Sequence, residues 1–239
     1  MSKRKAERSR NTGGTNRSRQ NDDTLVDLVE VKESASGMLQ GNQLKILGVI
    51  GIAALIVGAF LAYKYLYQAP RNTTAMEQMY RAETQFRQDS FALALENPGG
   101  GFDGFLDIID NYSGTQAANL SKYYAGISYL NLGRYQEAVD YLKSFSADGQ
   151  ITPITKFGAM GDAYSELNDL DNALSSYRKA VSSGDNELLT PYYLKKVGML
   201  LEKQGDAEGA VDAYNKIKEK YPNSTEGLDI SKYIARMAS

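Results

Sequence analysis

The sequence predicts an all-α protein: a single N-terminal transmembrane helix, followed by a solenoid of helix–turn–helix units and closed by a C-terminal capping helix. Two observations support this fold class. Residues 46–63 form an apolar run without a charged side chain. Three later segments repeat the same pattern of small and aromatic residues at nearly equal spacing.

The amino-acid composition excludes several kinds of active site. The 239 residues include no histidine and no cysteine. The chain therefore has no imidazole base, thiol nucleophile, disulfide or thiolate metal site, and we expect neither a metal nor a cofactor. The net charge of −2 hides a basic start, with seven Lys or Arg in residues 1–20, and an acidic body, with 17 basic and 23 acidic side chains in residues 65–239.

The apolar run from Ile46 to Tyr63 is long enough to cross a bilayer. Its 18 residues lie between Lys45 and Lys64, and at about 1.5 Å per residue they would form a helix about 27 Å long. We predict a transmembrane helix over residues 44–67, preceded by a disordered basic and polar tail over residues 1–43. Because about 45 residues precede the run, a cleaved signal peptide fits poorly.

The charges flanking the run predict its orientation. By the positive-inside rule, the basic tail lies in the cytoplasm, and the C-terminal domain of a single-pass inner-membrane protein lies in the periplasm. The tail has no interleaved aromatic residues, so we expect no nucleic-acid partner. One face of the helix carries small residues that would let a partner helix or a second copy pack closely. These residues are Gly51, Ala54, Gly58 and Ala62.

Three segments after the membrane run align with one another, and three of their positions recur at intervals of 35 and 37 residues. The first position is always glycine: Gly126, Gly161 and Gly198. The second is glycine or asparagine: Gly133, Asn168 and Gly205. The third is always alanine: Ala138, Ala173 and Ala210. Each segment indicates two helices, with close contact at the glycine, a positive-φ turn, and a small residue at the crossing. We predict repeats at about 119–152, 154–187 and 191–224, a divergent hairpin at 73–113 and a cap at 225–239, in a domain spanning 68–239.

The spacing resembles the tetratricopeptide repeat, a helix–turn–helix unit of about 34 residues. The large aromatic residue usual at its fourth position survives only as Phe157, since Lys122 and Leu194 occupy that position in the neighbouring repeats. The resemblance implies a concave groove that binds a peptide or protein of apolar character. The family's ligand-facing positions are here Leu120, Tyr123, Tyr124, Ile127, Asn131, Thr155, Asp162, Glu166, Tyr192, Lys195 and Met199. Of the adjacent Tyr123 and Tyr124, one is expected to pack in the core.

A cytoplasmic N-terminus, one membrane span and an acidic repeat domain outside also resemble the YfgM-type ancillary subunit of the bacterial Sec translocon. The resemblance covers residues 44–239. It implies a non-enzymatic, membrane-anchored interaction scaffold that links the translocon to periplasmic chaperones or clients. The expected partners are therefore translocon subunits, a periplasmic chaperone or a client polypeptide. A scaffold for another cell-envelope assembly or secretion machine is the alternative.

A carboxylate-based enzyme is a more distant alternative. Asp103, Asp107 and Asp110 run along one helix, and Asp162 and Glu166 lie one turn apart. Paired carboxylates act as acid and base only where they flank a substrate cleft. Charges with this spacing usually belong to the solvated face of a helix, so we predict no enzymatic activity.

Overall fold

A computed structural model describes the backbone of residues 28–237 and the side chains of residues 43–237. Residues 1–27 of the tail predicted over residues 1–43 lie outside the described residues. Contacts divide the chain into two compact units, Met1–Ala59 and Phe60–Ser239. Throughout the described range the regular structure is helical, which confirms the all-α prediction.

The helices follow one another in a simple order. They are α1 (Leu28–Ala62), a π-helical segment (Tyr63–Gln68), α2 (Ala69–Arg87), α3 (Phe91–Glu96), α4 (Phe105–Asn111), α5 (Gln116–Asn131), α6 (Tyr135–Ser144), α7 (Thr152–Glu166), α8 (Leu170–Ser182), α9 (Leu189–Lys203), α10 (Ala207–Lys220) and α11 (Thr225–Met237).

Helix α1 carries the apolar run. It begins at Leu28, so residues 28–43 are helical where the sequence predicts a disordered tail. No proline occurs before Pro70, and without one nothing in the backbone stops the helix from extending beyond the apolar run. Within the helical run Gln43–Arg87, none of the most apolar stretch is buried. Among the described residues, this is the one helix long and apolar enough to cross a membrane.

Helices α5 to α10 form three pairs: α5 with α6, α7 with α8, and α9 with α10. The second helix of each pair also contacts the first helix of the next element, which makes a continuous stack. The turns within the pairs contain Gly133, Asn168 and Gly205, whose φ angles are 74°, 56° and 82°. Left-handed backbone is disfavoured for residues with a bulky Cβ, so Gly or Asn occupies each turn, as predicted.

The two helices of a pair approach closely at the recurring glycines. A Cβ built on Gly161 would lie 2.4 Å from Cδ1 of Tyr177, and one on Gly198 would lie 2.3 Å from Cε1 of Tyr214. Carbon atoms pack at about 3.5–4.0 Å, so only glycine permits these contacts. The alanines predicted at the helix crossings are fully buried: Ala138, Ala173 and Ala210.

The region before the repeats differs from the predicted single hairpin. Asp89 has a φ of 56°, and the N–H of Ser90 donates to the carbonyl of Gln85 at 2.9 Å. This left-handed turn ends α2 and starts the short helix α3, so the region contains three helices. Helix α4 covers only seven residues near the end of the predicted hairpin. The ring of Phe105 packs on that of Phe86 and joins α4 to α2.

Helix α11 caps the stack. It buries Ile230 and packs Tyr233 against the core formed by α8, α9 and α10. Its outer side exposes polar side chains, among them Lys232. A terminal helix that is apolar inside and polar outside closes a solenoid that would otherwise expose the core of its last repeat.

Candidate partner-binding cleft

The first helices of successive pairs lie side by side, with α5 in contact with α7 and α7 in contact with α9. The row opens between α7 and α9 into a cleft of about 560 Å³. The lining combines apolar, aromatic and charged side chains from both helices and their neighbours: Leu130, Tyr135, Asp162, Ser165, Glu166, Tyr177, Lys196, Met199, Leu200 and Lys203.

A hydrogen-bonded network around Asp162 forms one wall of the cleft. Its Oδ1 accepts hydrogen bonds from the Tyr177 hydroxyl at 2.7 Å and from the Lys196 ammonium at 2.5 Å. That ammonium also lies 4.8 Å from the centroid of the Tyr192 ring. The side chains of Lys196 and Asp162 are 27% and 30% exposed. Partial burial and several partners hold this wall in one arrangement.

The protonation states of the network follow from its contacts. Burial raises the pKa of Tyr177, and the Asp162 carboxylate raises it further. Burial is the largest single effect on Lys196 and lowers its pKa, but the hydrogen bonds and charge interactions with Asp162 and Tyr192 together outweigh it, so the Lys196 pKa is raised. At neutral pH the tyrosine is therefore neutral and the lysine charged. Because the Tyr177 hydroxyl and the Lys196 ammonium both donate to Asp162, the network is suited to recognition rather than proton transfer.

The same cleft also carries groups that are open to a ligand. Met199 is 48% exposed. Glu166 on α7 and Lys203 on α9 are exposed, and neither forms an ion pair with any side chain in residues 43–237. A segment of polypeptide could bury an apolar side chain against Met199 and Leu200 while its charged groups face these two side chains. Within the same residues, no group of acidic side chains is arranged to hold a metal ion.

Comparison with known families agrees with this architecture. Models of the tetratricopeptide repeat match residues 121–148 and residues 159–225. The matched segments therefore have the pattern of the tetratricopeptide repeat. Among solved structures, that of the MamA protein is similar with a TM-score of 0.51 and 16% sequence identity, covering 69% of this chain and 86% of that one. At this identity the similarity concerns the fold alone. No curated protein matches the sequence.

Four of the predicted groove residues meet at the cleft between the second and third tetratricopeptide repeats. Asp162, Glu166 and Met199 line it. Tyr192 flanks it, because its ring lies against the Lys196 ammonium. These residues come from helices α7 and α9, whose contact brings together positions one repeat apart.

The predicted tyrosine pair of the first tetratricopeptide repeat divides between two packing environments. Tyr124 stacks on Phe105 with ring centroids 5.0 Å apart and is therefore the more structural of the two. Leu120 packs against the same core. Tyr123 is half-buried and lies 5.3 Å from the ring of Phe145.

The remaining predicted groove residues lie away from the cleft. Ile127 is half-buried on α5, and the Asn131 amide donates to the Ile127 carbonyl at 2.8 Å. The Thr155 hydroxyl bonds a carbonyl of its own helix at 3.2 Å. The Lys195 ammonium lies 4.9 Å from the Tyr233 ring centroid, beside the capping helix.

The small residues predicted to contact a partner helix lie on α1. A Cβ built on Gly51, one of them, would meet no atom of the described chain within 4 Å.

The sequence prediction of the groove did not include Tyr177, Lys196 or Lys203. Asp162 and Lys196 are 34 residues apart, close to one repeat interval. A search for opposite charges at that interval would have suggested the pair. The choice between Lys195 and Lys196, however, depends on the rotation of α9 in the stack.

Proposed function

We propose that this chain is a membrane-anchored protein-interaction scaffold that binds a polypeptide segment in the cleft between α7 and α9. The observation that carries the proposal is the open cleft, whose lining includes exposed Met199, acidic Glu166 and basic Lys203. Apolar contact with a charged rim is the usual composition of a protein-binding surface. Tetratricopeptide repeats bind protein partners, which is consistent with this proposal.

The anchor is α1, placed in a bacterial inner membrane with its N-terminus in the cytoplasm and the repeat domain in the periplasm. Two observations support the placement. The apolar stretch of the helix has no buried residue, and Tyr63, Tyr65 and Tyr67 at its end are exposed, as in an interfacial aromatic belt. Protease added to spheroplasts should digest the repeat domain and spare the N-terminal tail. Digestion of the N-terminal tail instead would show that the protein has the opposite orientation in the membrane.

As its cellular role, we propose an ancillary factor of the Sec translocon that links the translocon to periplasmic chaperones or clients. Support comes from the order of the parts: a basic start, one apolar helix, then a repeat domain with a binding cleft. The same parts suit a scaffold for another envelope assembly or secretion machine, which is the second candidate.

Site-specific photo-crosslinking in intact cells tests the proposal. A photoreactive amino acid replaces Met199 in the cleft or, as a matched control, Ser175, which is exposed on the second-helix side at α8. We expect adducts at position 199 that contain translocon subunits, a periplasmic chaperone or a client. Adding Lys203→Glu should lower their yield. Adducts with another envelope machine favour the second candidate, and equal labelling at both positions contradicts a binding role for the cleft.

A further inference from the structure

The helical run that follows the predicted membrane span is bonded to the start of the repeats. Three of its side chains bond the backbone around the α4–α5 loop. The bonds run from Gln68 Nε2 to the carbonyl of Gly114 (3.1 Å), from Arg71 Nη2 to the carbonyl of Asn111 (2.6 Å) and from the N–H of Ala117 to Asn72 Oδ1 (3.0 Å). All six residues belong to the compact unit Phe60–Ser239. We call Gln68, Arg71 and Asn72 the exit clamp.

Local sequence explains why the clamp occurs at this point. An α-helix continued through Pro70 would leave the carbonyl of Leu66 without its usual donor, because proline has no N–H. The chain instead widens into the π-helical segment Tyr63–Gln68. Asn72 then precedes Ala75 and Met79, both buried in the repeat domain, at helical spacings of three and four. The clamp therefore continues the buried face of α2 toward the membrane.

Aromatic contacts join the clamp to the predicted membrane interface. The rings of Tyr63 and Tyr67 stack with centroids 5.5 Å apart. The Arg71 guanidinium lies 5.3 Å from the centroid of the Tyr67 ring. Tyrosine and arginine, with apolar bodies and polar ends, favour the headgroup region of a bilayer. If the span ends at residue 67 as predicted, Gln68 and the Gly114 carbonyl bonded to it would lie at headgroup level.

We infer that the exit clamp holds the α4–α5 loop, residues 112–115, against the phospholipid headgroups. This inference rests on the proposed membrane anchor. Ser113 in that loop is then a membrane-proximal position. Leu132 follows the opposite end of α5, a helix of 16 residues, which places it about 24 Å further along the helix axis.

Single-cysteine labelling of the full chain tests the inference, because the chain has no native cysteine. Ser113→Cys and Leu132→Cys, both at exposed positions, would each carry a fluorophore. The labelled proteins would be placed in phosphatidylethanolamine–phosphatidylglycerol vesicles whose lipids carry a nitroxide on the headgroup. We expect quenching at position 113 to be several-fold stronger than at position 132.

Two variants test whether the exit clamp causes the difference in quenching between positions 113 and 132. One replaces Gln68, Arg71 and Asn72 together with alanine. The other inserts a flexible Gly-Ser linker of about six residues between Tyr67 and Gln68, which leaves every clamp bond inside the repeat domain and protects its folding. In either variant, quenching at the two positions should become similar. The thermal unfolding of the linker variant should match that of the unaltered chain.

The outcomes separate this inference from the anchor proposal. If alkaline carbonate extracts the unaltered chain from the vesicles, both the anchor and this inference are overturned. If the chain stays in the membrane but the two positions are quenched equally, only this inference fails. It also fails if the difference persists unchanged in the linker variant.

Discussion

Replacement of Gly161 by alanine should destabilise the repeat domain and disturb the cleft together. The added Cβ would lie 2.4 Å from Cδ1 and 2.5 Å from Cε1 of Tyr177. The Tyr177 ring is 5% exposed, and its hydroxyl is held by Asp162 at 2.7 Å. The ring therefore has little room to move, and any movement weakens its hydrogen bond to the cleft wall.

The size of the effect follows from three contributions to the free energy of unfolding. Overpacking costs about 1–3 kcal/mol. Loss of a hydrogen bond to a charged group adds up to about 2 kcal/mol if the ring is displaced. The higher helix propensity of alanine returns about 1 kcal/mol. We expect a net loss of about 2 kcal/mol, or a melting temperature lower by about 4–8 °C for a domain of this size.

Thermal and urea unfolding measure this loss, and a double-mutant cycle with Tyr177→Ala tests its cause. Once the ring is removed, Gly161→Ala should be neutral or slightly stabilising. Ser175→Ala, on the exposed face of α8, is the control for a small change in a helix and should leave stability nearly unchanged. Equal destabilisation by Gly161→Ala with and without the Tyr177 ring would refute this explanation.

Three further predictions concern the crossing, a turn and alkaline pH. Ala173→Leu adds bulk at a fully buried crossing and should lower the free energy of unfolding by about 1–3 kcal/mol in urea titrations; an unchanged midpoint would contradict the helix pairing. Asn168, at a φ of 56°, should tolerate glycine, whereas alanine should cost about 1 kcal/mol of thermal stability; equal melting of the two variants would argue against the left-handed turn. Burial and the Asp185 carboxylate raise the pKa of Tyr221 from 10.0 to about 12. As pH rises, the unfolded chain therefore loses the Tyr221 proton before the folded chain does, so the free energy of unfolding in urea should fall from pH 10 toward pH 12. Tyr221→Phe should reduce this fall. An identical pH profile in the variant would speak against the raised Tyr221 pKa.

Features that depend on local geometry could be predicted from the sequence. The turns at Gly133 and Asn168 could be located because left-handed backbone restricts residue type at a single position. Gly161 marked a close approach because it recurs in step with the turns. The apolar helix could be recognised because length and composition are read directly from consecutive residues.

Other features of the N-terminal region needed more than periodicity. The left-handed backbone of Asp89 ends α2 within the region predicted as a single hairpin at 73–113. An aspartate allows such a turn without requiring it, so the sequence is compatible with either form. The exit clamp is similar, since Asn72 and Ala117 are 45 residues apart and no sequence pattern pairs them.

The division of side chains between core, cap and cleft depends on how the helices pack in the tertiary structure. Tyr124 rather than Tyr123 stacks on Phe105, and Lys196 rather than Lys195 faces Asp162. Adjacent residues on a helix differ by about 100° in direction. Which of them meets a neighbour depends on how each helix is rotated when the repeats pack, and that rotation is a property of the whole stack.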